Sequence, residues 1–442
     1  MLTLPESSLP RTCREGSAAK TPLFLKRDGG PGEGENFFSR EKKFSPSPGT
    51  ANRIEKEKMQ KFIEKFRARY GTDPAAAARA PGRLEILGNH TDYNEGVVLS
   101  CAVAQTTCFA AVPARGTVCR IVDFRDGSEM TFDLAEADAA PPKDGGRYIK
   151  GMALELIRRG AAVPGFDAAI ESSVPLSAGM SSSAALETAA GLGLLKLANA
   201  ELDPAELARA GQAVENGYLG LKTGLLDQFS SIFGRENAMI LSDFRSVTVR
   251  RTVPLPGEYV FVVINSMKKH DLVDSEYNVR RQDCEEAASV MCQIVPEAKT
   301  LRDISWEQLA CARDRMHERV FRRALHVVGE CTRVIEGARL LDAGDVAGFG
   351  RLLFESHESS RVNFENSTPE LDYLVELAKS VPGCLGARLS GGGFGGITIH
   401  LVERARAEEY AKRVVEAYKM RTGIAAESII CALGGGAQVV TV

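Results

Sequence analysis

The sequence lacks any run of roughly 18 consecutive apolar residues, the length a membrane-spanning helix requires. Its first 58 residues also lack the roughly 7–15-residue apolar core of a secretory signal. No charge sign dominates: 55 Lys and Arg face 58 Asp and Glu, a net charge of −3. That balance gives no electrostatic reason to expect nucleic acid or an anionic membrane as a partner. Histidine is scarce, six in all, with no HExxH or similar spacing, which argues against a tightly held zinc. The ten cysteines are scattered without a CxxC pair and read as small, partly buried apolar residues of a reducing compartment. These absences point to a cytoplasmic protein, with a monomer as the default expectation. Two nucleotide signatures are missing as well: GxxxxGK[ST] of P-loop enzymes, and the HRD and DFG elements of protein kinases.

What is present is ordinary in bulk and specific in detail. A hydrophobic fraction of 44% and a charged fraction of 26% suit a soluble globular chain. A length of 442 residues calls for two domains or one two-lobed unit. Residues 1–58 differ from the rest: Pro31-Gly32-Glu33-Gly34-Glu35 and Ser45-Pro46-Ser47-Pro48 carry no hydrophobic period, so the segment reads as disordered, or as sequence upstream of a natural start at Met59. From Met59, Phe62, Ile63, Phe66 and Tyr70 recur at helical spacing up to Gly71. Helices are expected at 181–199, 203–219, 276–293, 320–342 and 405–421. Strands are expected at 97–99, 108–112, 168–174, 237–241, 258–265, 385–390 and 396–402. Mixed elements without strict βαβ alternation indicate an α+β protein with a mixed sheet.

Three polar-glycine segments carry the chemistry. Ala80–Gly96 sets Arg83, Asn89, His90, Asp92 and Asn94 between glycines, which suits a polyhydroxylated ligand or, alternatively, a polar turn that hydrogen-bonds itself. Pro175–Glu187 places Gly179, Met180, Ser181, Ser182 and Ser183 ahead of an Ala/Leu-rich helix, either as a phosphate site on free backbone N–H groups or as an ordinary N-cap. Leu389–Gly396 satisfies GxGxxG through Gly391, Gly393 and Gly396, but a β-branched strand follows where a dinucleotide fold needs a helix. A glycine turn between two strands remains, near a ligand or as a plain hairpin.

In this order and at these separations the segments resemble the GHMP kinase superfamily, and within it the galactokinases. Gly82–Asn94 resembles the opening signature, Gly179–Glu187 the phosphate loop, and Ser390–Gly396 the third motif. Thr223–Phe229, Asn265-Ser266 with Lys269-His270, Ser275–Arg281, and Ser356-His357 with Pro369–Asp372 agree as well. The resemblance runs from about Met59 to the C-terminus. It implies an α+β fold with an N-terminal lobe similar to ribosomal protein S5 domain 2 (59–250) and a ferredoxin-like C-terminal lobe (251–442), the site lying between them. It also implies an ATP- and Mg²⁺-dependent kinase of the galactose anomeric hydroxyl. Asp227 matches the catalytic base and Arg83 its cationic neighbour. Asn89, His90, Asp92, Gly224 and Tyr277 match sugar contacts, Gly179 to Ser183 wrap the ATP phosphates, and Ser183 and Glu215 match the metal positions. Read alone, Asp227 could equally cap a helix.

Two departures stand out. Asn89 replaces the glutamate of the family's GEHTDY, which contacts the hexose around its 6-hydroxyl, so a C6-altered sugar such as galacturonate or L-arabinose enters as an alternative substrate. Ser177 replaces a phosphate-loop glycine, for which a modest effect on ATP affinity is expected. A third class, a non-catalytic sensor of sugar and ATP, usually loses the phosphate loop that this chain keeps.

Overall fold

The computed structural model describes residues 49–136, 144–175, 179–269 and 273–441. Ser177 and His270 lie outside them. Helix α1 (Gly49–Tyr70) begins upstream of Met59 and buries Phe62, Ile63 and Phe66 against the sheet that follows.

That sheet contains β1 (Ala76–Leu87), β2 (Val97–Pro113), β3 (Val118–Asp123), β4 (Glu129–Asp133), β5 (Phe166–Ser172), β6 (Ala238–Asp243) and β7 (Thr248–Pro254). Its pairings are antiparallel except for β3 beside β5. The first polar-glycine segment, expected as a loop, is strand as far as Leu87. Leu84, Ile86 and Leu87 are all buried, and core burial overrides the local turn signal of Pro81-Gly82. The register shifts at Pro81/Arg83 and again at Glu85/Leu87, bulges that re-aim the intervening side chains. The two short runs expected at 97–99 and 108–112 are one strand, β2.

Helices α2 (Gly146–Arg158), α3 (Ser182–Leu197), α4 (Pro204–Ala213) and α5 (Leu226–Phe233) accompany this sheet. Phe109, Ile149, Met152, Phe166, Leu194 and Leu207 form the core between the sheet and α2, α3 and α4. The helix expected to run to 219 changes after Ala213 into a π-turn at Val214–Tyr218, which carries Glu215. Such turns frequently mark functional positions.

The second sheet has the order β11-β8-β10-β9, with β8 at Tyr259–Lys269, β9 at Cys384–Ser390, β10 at Gly395–Glu403 and β11 at Glu427–Cys431. On β8, Val260, Val262 and Ile264 join one cluster while Phe261 and Val263 join another. Both faces are covered, which is why the strand reads as an unbroken apolar run. Around it lie α6 (Val273–Ile294), α7 (Trp306–Cys311), α8 (Glu318–Asp342), α9 (Val346–Ser359), α10 (Pro369–Ser380) and α11 (Ala407–Thr422). Leu84 and Leu99 of the first sheet share a core with Phe261, Ile397 and Ile399 of the second and with Phe349 of α9. A final strand, β12 (Gln438–Val439), returns to pair with β1. Among the described residues, no helix is long and apolar enough to cross a membrane.

Candidate active site

The three polar-glycine segments meet at one cavity of about 180 Å³, lined among others by Arg83, Asn89, His90, Asp92, Asp227 and Tyr277. A more open groove of about 410 Å³, lined by Arg250, Arg302 and Cys331, contains none of the motif residues.

At one end of the cavity stands an ion pair. The Arg83 Nε and Nη2 groups both reach Asp227 Oδ1, at 2.9 and 2.8 Å. Arg83 Nη1 donates to the Gly179 carbonyl at 2.6 Å, and the Arg83 backbone N–H donates to Met180 O at 3.0 Å. One arginine therefore ties β1 to the glycine-serine loop and to the first turn of α5. Leu225, not Asp227, holds the N-cap position of α5, and no side chain caps it. The carboxylate faces Arg83 and accepts from the Ser181 hydroxyl instead. The capping alternative for Asp227 is therefore set aside.

The N-cap alternative for the serines fails in the same way. Ser181 sits at φ 53° ahead of α3 and makes no side-chain cap. Its hydroxyl goes to Asp227, and the Ser183 hydroxyl lies 3.4 Å from Glu215 Oε1. The first-turn N–H groups of α3 are left without a side-chain cap, and the helix dipole adds its positive end there, which suits an anion. Glu215 is buried on the π-turn and accepts from Thr223 Oγ1 at 2.6 Å. Burial raises its pKa, with the Asp227 charge adding to the shift.

The opposite wall comes from the loop after β1. Asp92 Oδ2 accepts from the Leu226 N–H at 3.3 Å, and a Cβ at residue 224 would fall 1.6 Å from that oxygen. Only glycine fits at 224. Burial, helped by the charges of Asp227 and Glu85, lifts the Asp92 pKa to about 6. His90 Nε2 faces the Gly392 carbonyl at 3.1 Å, so that nitrogen carries the proton, and Nδ1 accepts from Tyr93 Oη at 2.9 Å. Burial pushes the His90 pKa down to about 3, so the ring is neutral at pH 7. Tyr277 packs beside it, with ring centroids 5.1 Å apart.

Asn89 and His90 reach the cavity wall, but they do not hold their polar atoms out to a ligand as expected. Asn89 is fully buried; its Nδ2 donates to Glu85 Oε1 at 2.9 Å and to Gly391 O at 2.8 Å, and its Oδ1 accepts from Asn366 Nδ2 at 3.0 Å. The glycine segment is thus a hairpin between β9 and β10 and a wall of the cavity as well. Residue 393 must be glycine, since a Cβ there would meet Asn366 O at 2.2 Å. Glu85, Thr223, Asn366 and Arg388 were not singled out from the sequence. Glu85 and Thr223 lay inside quoted motifs and carried a signal; Arg388 and Asn366 carried none, because only tertiary packing brings them to β1.

Three family models match the chain. They are the galactokinase galactose-binding signature over residues 64–113, the GHMP kinase N-terminal domain over 147–235 and the GHMP kinase C-terminal model over 338–419. A galactokinase of Roseiflexus sp. is 40% identical over 375 residues, covering 84% of this chain and 95% of that protein. A galactokinase of Homo sapiens is 39% identical over 361 residues, covering 80% and 90%. Among solved structures, Lactococcus lactis galactokinase complexed with galactose matches with a TM-score of 0.80 and 31% identity, over 86% of this chain and 99% of that one. A mevalonate kinase matches at a TM-score of 0.54 and 19% identity, a likeness of fold alone. The architecture is the α+β GHMP kinase fold.

Proposed function

The chain belongs to the galactokinase family of GHMP kinases, and on that footing we propose that it transfers the γ-phosphoryl group of ATP to the anomeric C1 hydroxyl of galactose. The observation that carries this reading is the Arg83–Asp227 pair, set between the uncapped N-terminus of α3 and the cavity that holds Asp92, Gly224 and Tyr277. Asp227 is the base: its carboxylate accepts the proton of the sugar hydroxyl as the new O–P bond forms, and the hydroxyl takes over the position at which Ser181 now donates. Arg83 offsets charge developing on the reacting oxygens. Backbone groups of Gly179–Ser183 hold the phosphate oxygens of ATP, so catalysis is mostly positioning and electrostatics.

Ser183 and Glu215 fit a magnesium ion. They offer hard oxygen ligands, one a buried carboxylate, beside the phosphate loop. Among the described residues no group of three or more His, Cys, Asp or Glu gathers to hold a metal, so such an ion would depend on the nucleotide's own oxygens. When bound, magnesium supplies charge neutralisation on the transferring phosphate.

The alternatives find less support. A uronate would be met by the Glu85 carboxylate on the cavity wall, and the Asn89 amide hydrogens that might have received it are already donated. A sensor has no need of the Arg83–Asp227 pair. The test is ADP release with ATP and magnesium over galactose, galacturonate, L-arabinose, glucose and mevalonate. Turnover on galactose well above the others is expected; silence on galactose would overturn the proposal.

A pH dependence follows from Asp92. To accept hydrogens from sugar hydroxyls it must be ionised, which holds above its pKa of about 6 and is lost as pH falls through that value. The kcat/KM for galactose is therefore expected to fall on an acid limb near pH 6, about tenfold per unit below it. Asp92→Asn should have lower activity and no such limb. A limb unchanged in Asp92→Asn would assign it to another group.

A further inference from the structure

Glu85 and Arg83 lie two residues apart on β1 and both line the cavity. Side chains two apart on a strand share a face and are separated by roughly 7 Å, a span comparable to one pyranose ring. Arg83 marks the reacting end through Asp227. Glu85 therefore stands toward the remote end.

Its carboxylate is held from behind. Oε1 accepts from Arg388 Nη2 and from Asn89 Nδ2, each at 2.9 Å. Arg388 is fully buried and also donates from Nη1 to the Ile86 carbonyl at 3.0 Å. The Glu85 backbone is clamped through both its N–H and its carbonyl to the Ser390 hydroxyl, at 3.2 and 3.0 Å. Asn89 is a different case. An amide has two hydrogens to donate, and those of Asn89 go to Glu85 Oε1 and Gly391 O, while its oxygen accepts from Asn366. No donor is left for a sugar.

Resting on the galactokinase reading, we propose that Glu85 is the carboxylate that accepts a hydroxyl hydrogen of the sugar at its end remote from the anomeric carbon, and that Asn89 is a positioning residue that holds Glu85. The acidic member of this hydrogen-bonded pair is at 85 and the amide at 89. A glutamate at 89, as the family motif has it, would set two carboxylates about 3 Å apart, and both cannot ionise there. This explains why Asn89 departs from the motif without implying a different substrate. The pair presents one carboxylate to the cavity, from the other side of the hydrogen bond.

The test measures kcat/KM for galactose and for its 3-, 4- and 6-deoxy analogues with the unmodified protein, Glu85→Gln, Asn89→Glu and the double variant Glu85→Gln/Asn89→Glu. The ratio of galactose to an analogue is independent of how much enzyme is folded, so a destabilised variant still gives an answer. In Glu85→Gln the ratio is expected to fall at least tenfold for one analogue, the one lacking the hydroxyl that Glu85 receives. It should stay constant for the other two. Asn89→Glu alone should lower kcat/KM for galactose at least tenfold, and adding Glu85→Gln should recover part of that loss. Unchanged ratios for all three analogues, or a gain on galactose from Asn89→Glu alone, would overturn the proposal. An unmodified protein without turnover on galactose would instead condemn the functional reading on which it rests.

Discussion

Asp227→Asn is expected to lower kcat by about three orders of magnitude, the middle of the range for a general base. The KM values for galactose and ATP should stay within a few-fold. Asparagine matches aspartate in shape and keeps an acceptor oxygen for Arg83 Nε and Nη2, so the strap between β1, the phosphate loop and α5 survives. What it cannot do is take a proton. A loss confined to kcat marks an interaction made in the transition state, and a thousandfold loss corresponds to about 4 kcal/mol of barrier. Steady-state kinetics with equilibrium binding of both substrates checks this. A kcat within tenfold of the unmodified protein would remove Asp227 from the role of base.

Gly224→Ala is expected to reduce kcat/KM for galactose about a hundredfold, the scale of loss from misplacing a binding group by about an ångström. The new methyl would lie 1.6 Å from Asp92 Oδ2 and 2.4 Å from its Cγ. Those atoms end a side chain, so the backbone need not unfold. The carboxylate must instead leave the position in which the Leu226 N–H holds it. The damage should fall on the sugar and spare ATP, whose loop lies at the other end of the cavity. Separate KM values for the two substrates, with a thermal melt to confirm folding, decide the matter. Equal losses for both substrates would mean that the loop as a whole has collapsed.

Both effects concern residues that were legible in the sequence, because their chemistry is local. Serines after a glycine and ahead of an Ala/Leu-rich helix announce an anion site whatever surrounds them. The apolar run of β8 and the long period of α8 are likewise readable from side-chain pattern. β1 was hidden for the converse reason: Pro81, Gly82, Arg83 and Glu85 all signal a loop, and only burial of Leu84, Ile86 and Leu87 against distant partners makes them strand. The roles of Asn89 and Glu85 could not be read either. Asn89 departs from the motif as a single letter, and its meaning depends on Glu85, Arg388 and Asn366, which meet only in the folded chain. A substitution judged alone suggested a new substrate. The same substitution, seen with its partners, keeps one carboxylate on the cavity wall.

The claim at the centre of this account is chemical: the phosphoryl group goes to the anomeric oxygen, beside Asp227. The most direct measurement is ¹H and ³¹P NMR of the product formed from galactose, ATP and magnesium. The account predicts galactose 1-phosphate, with phosphorus coupled to the anomeric proton, and no such product from Asp227→Asn over the same interval. Phosphate on any other sugar carbon, or full product formation by Asp227→Asn, would contradict it.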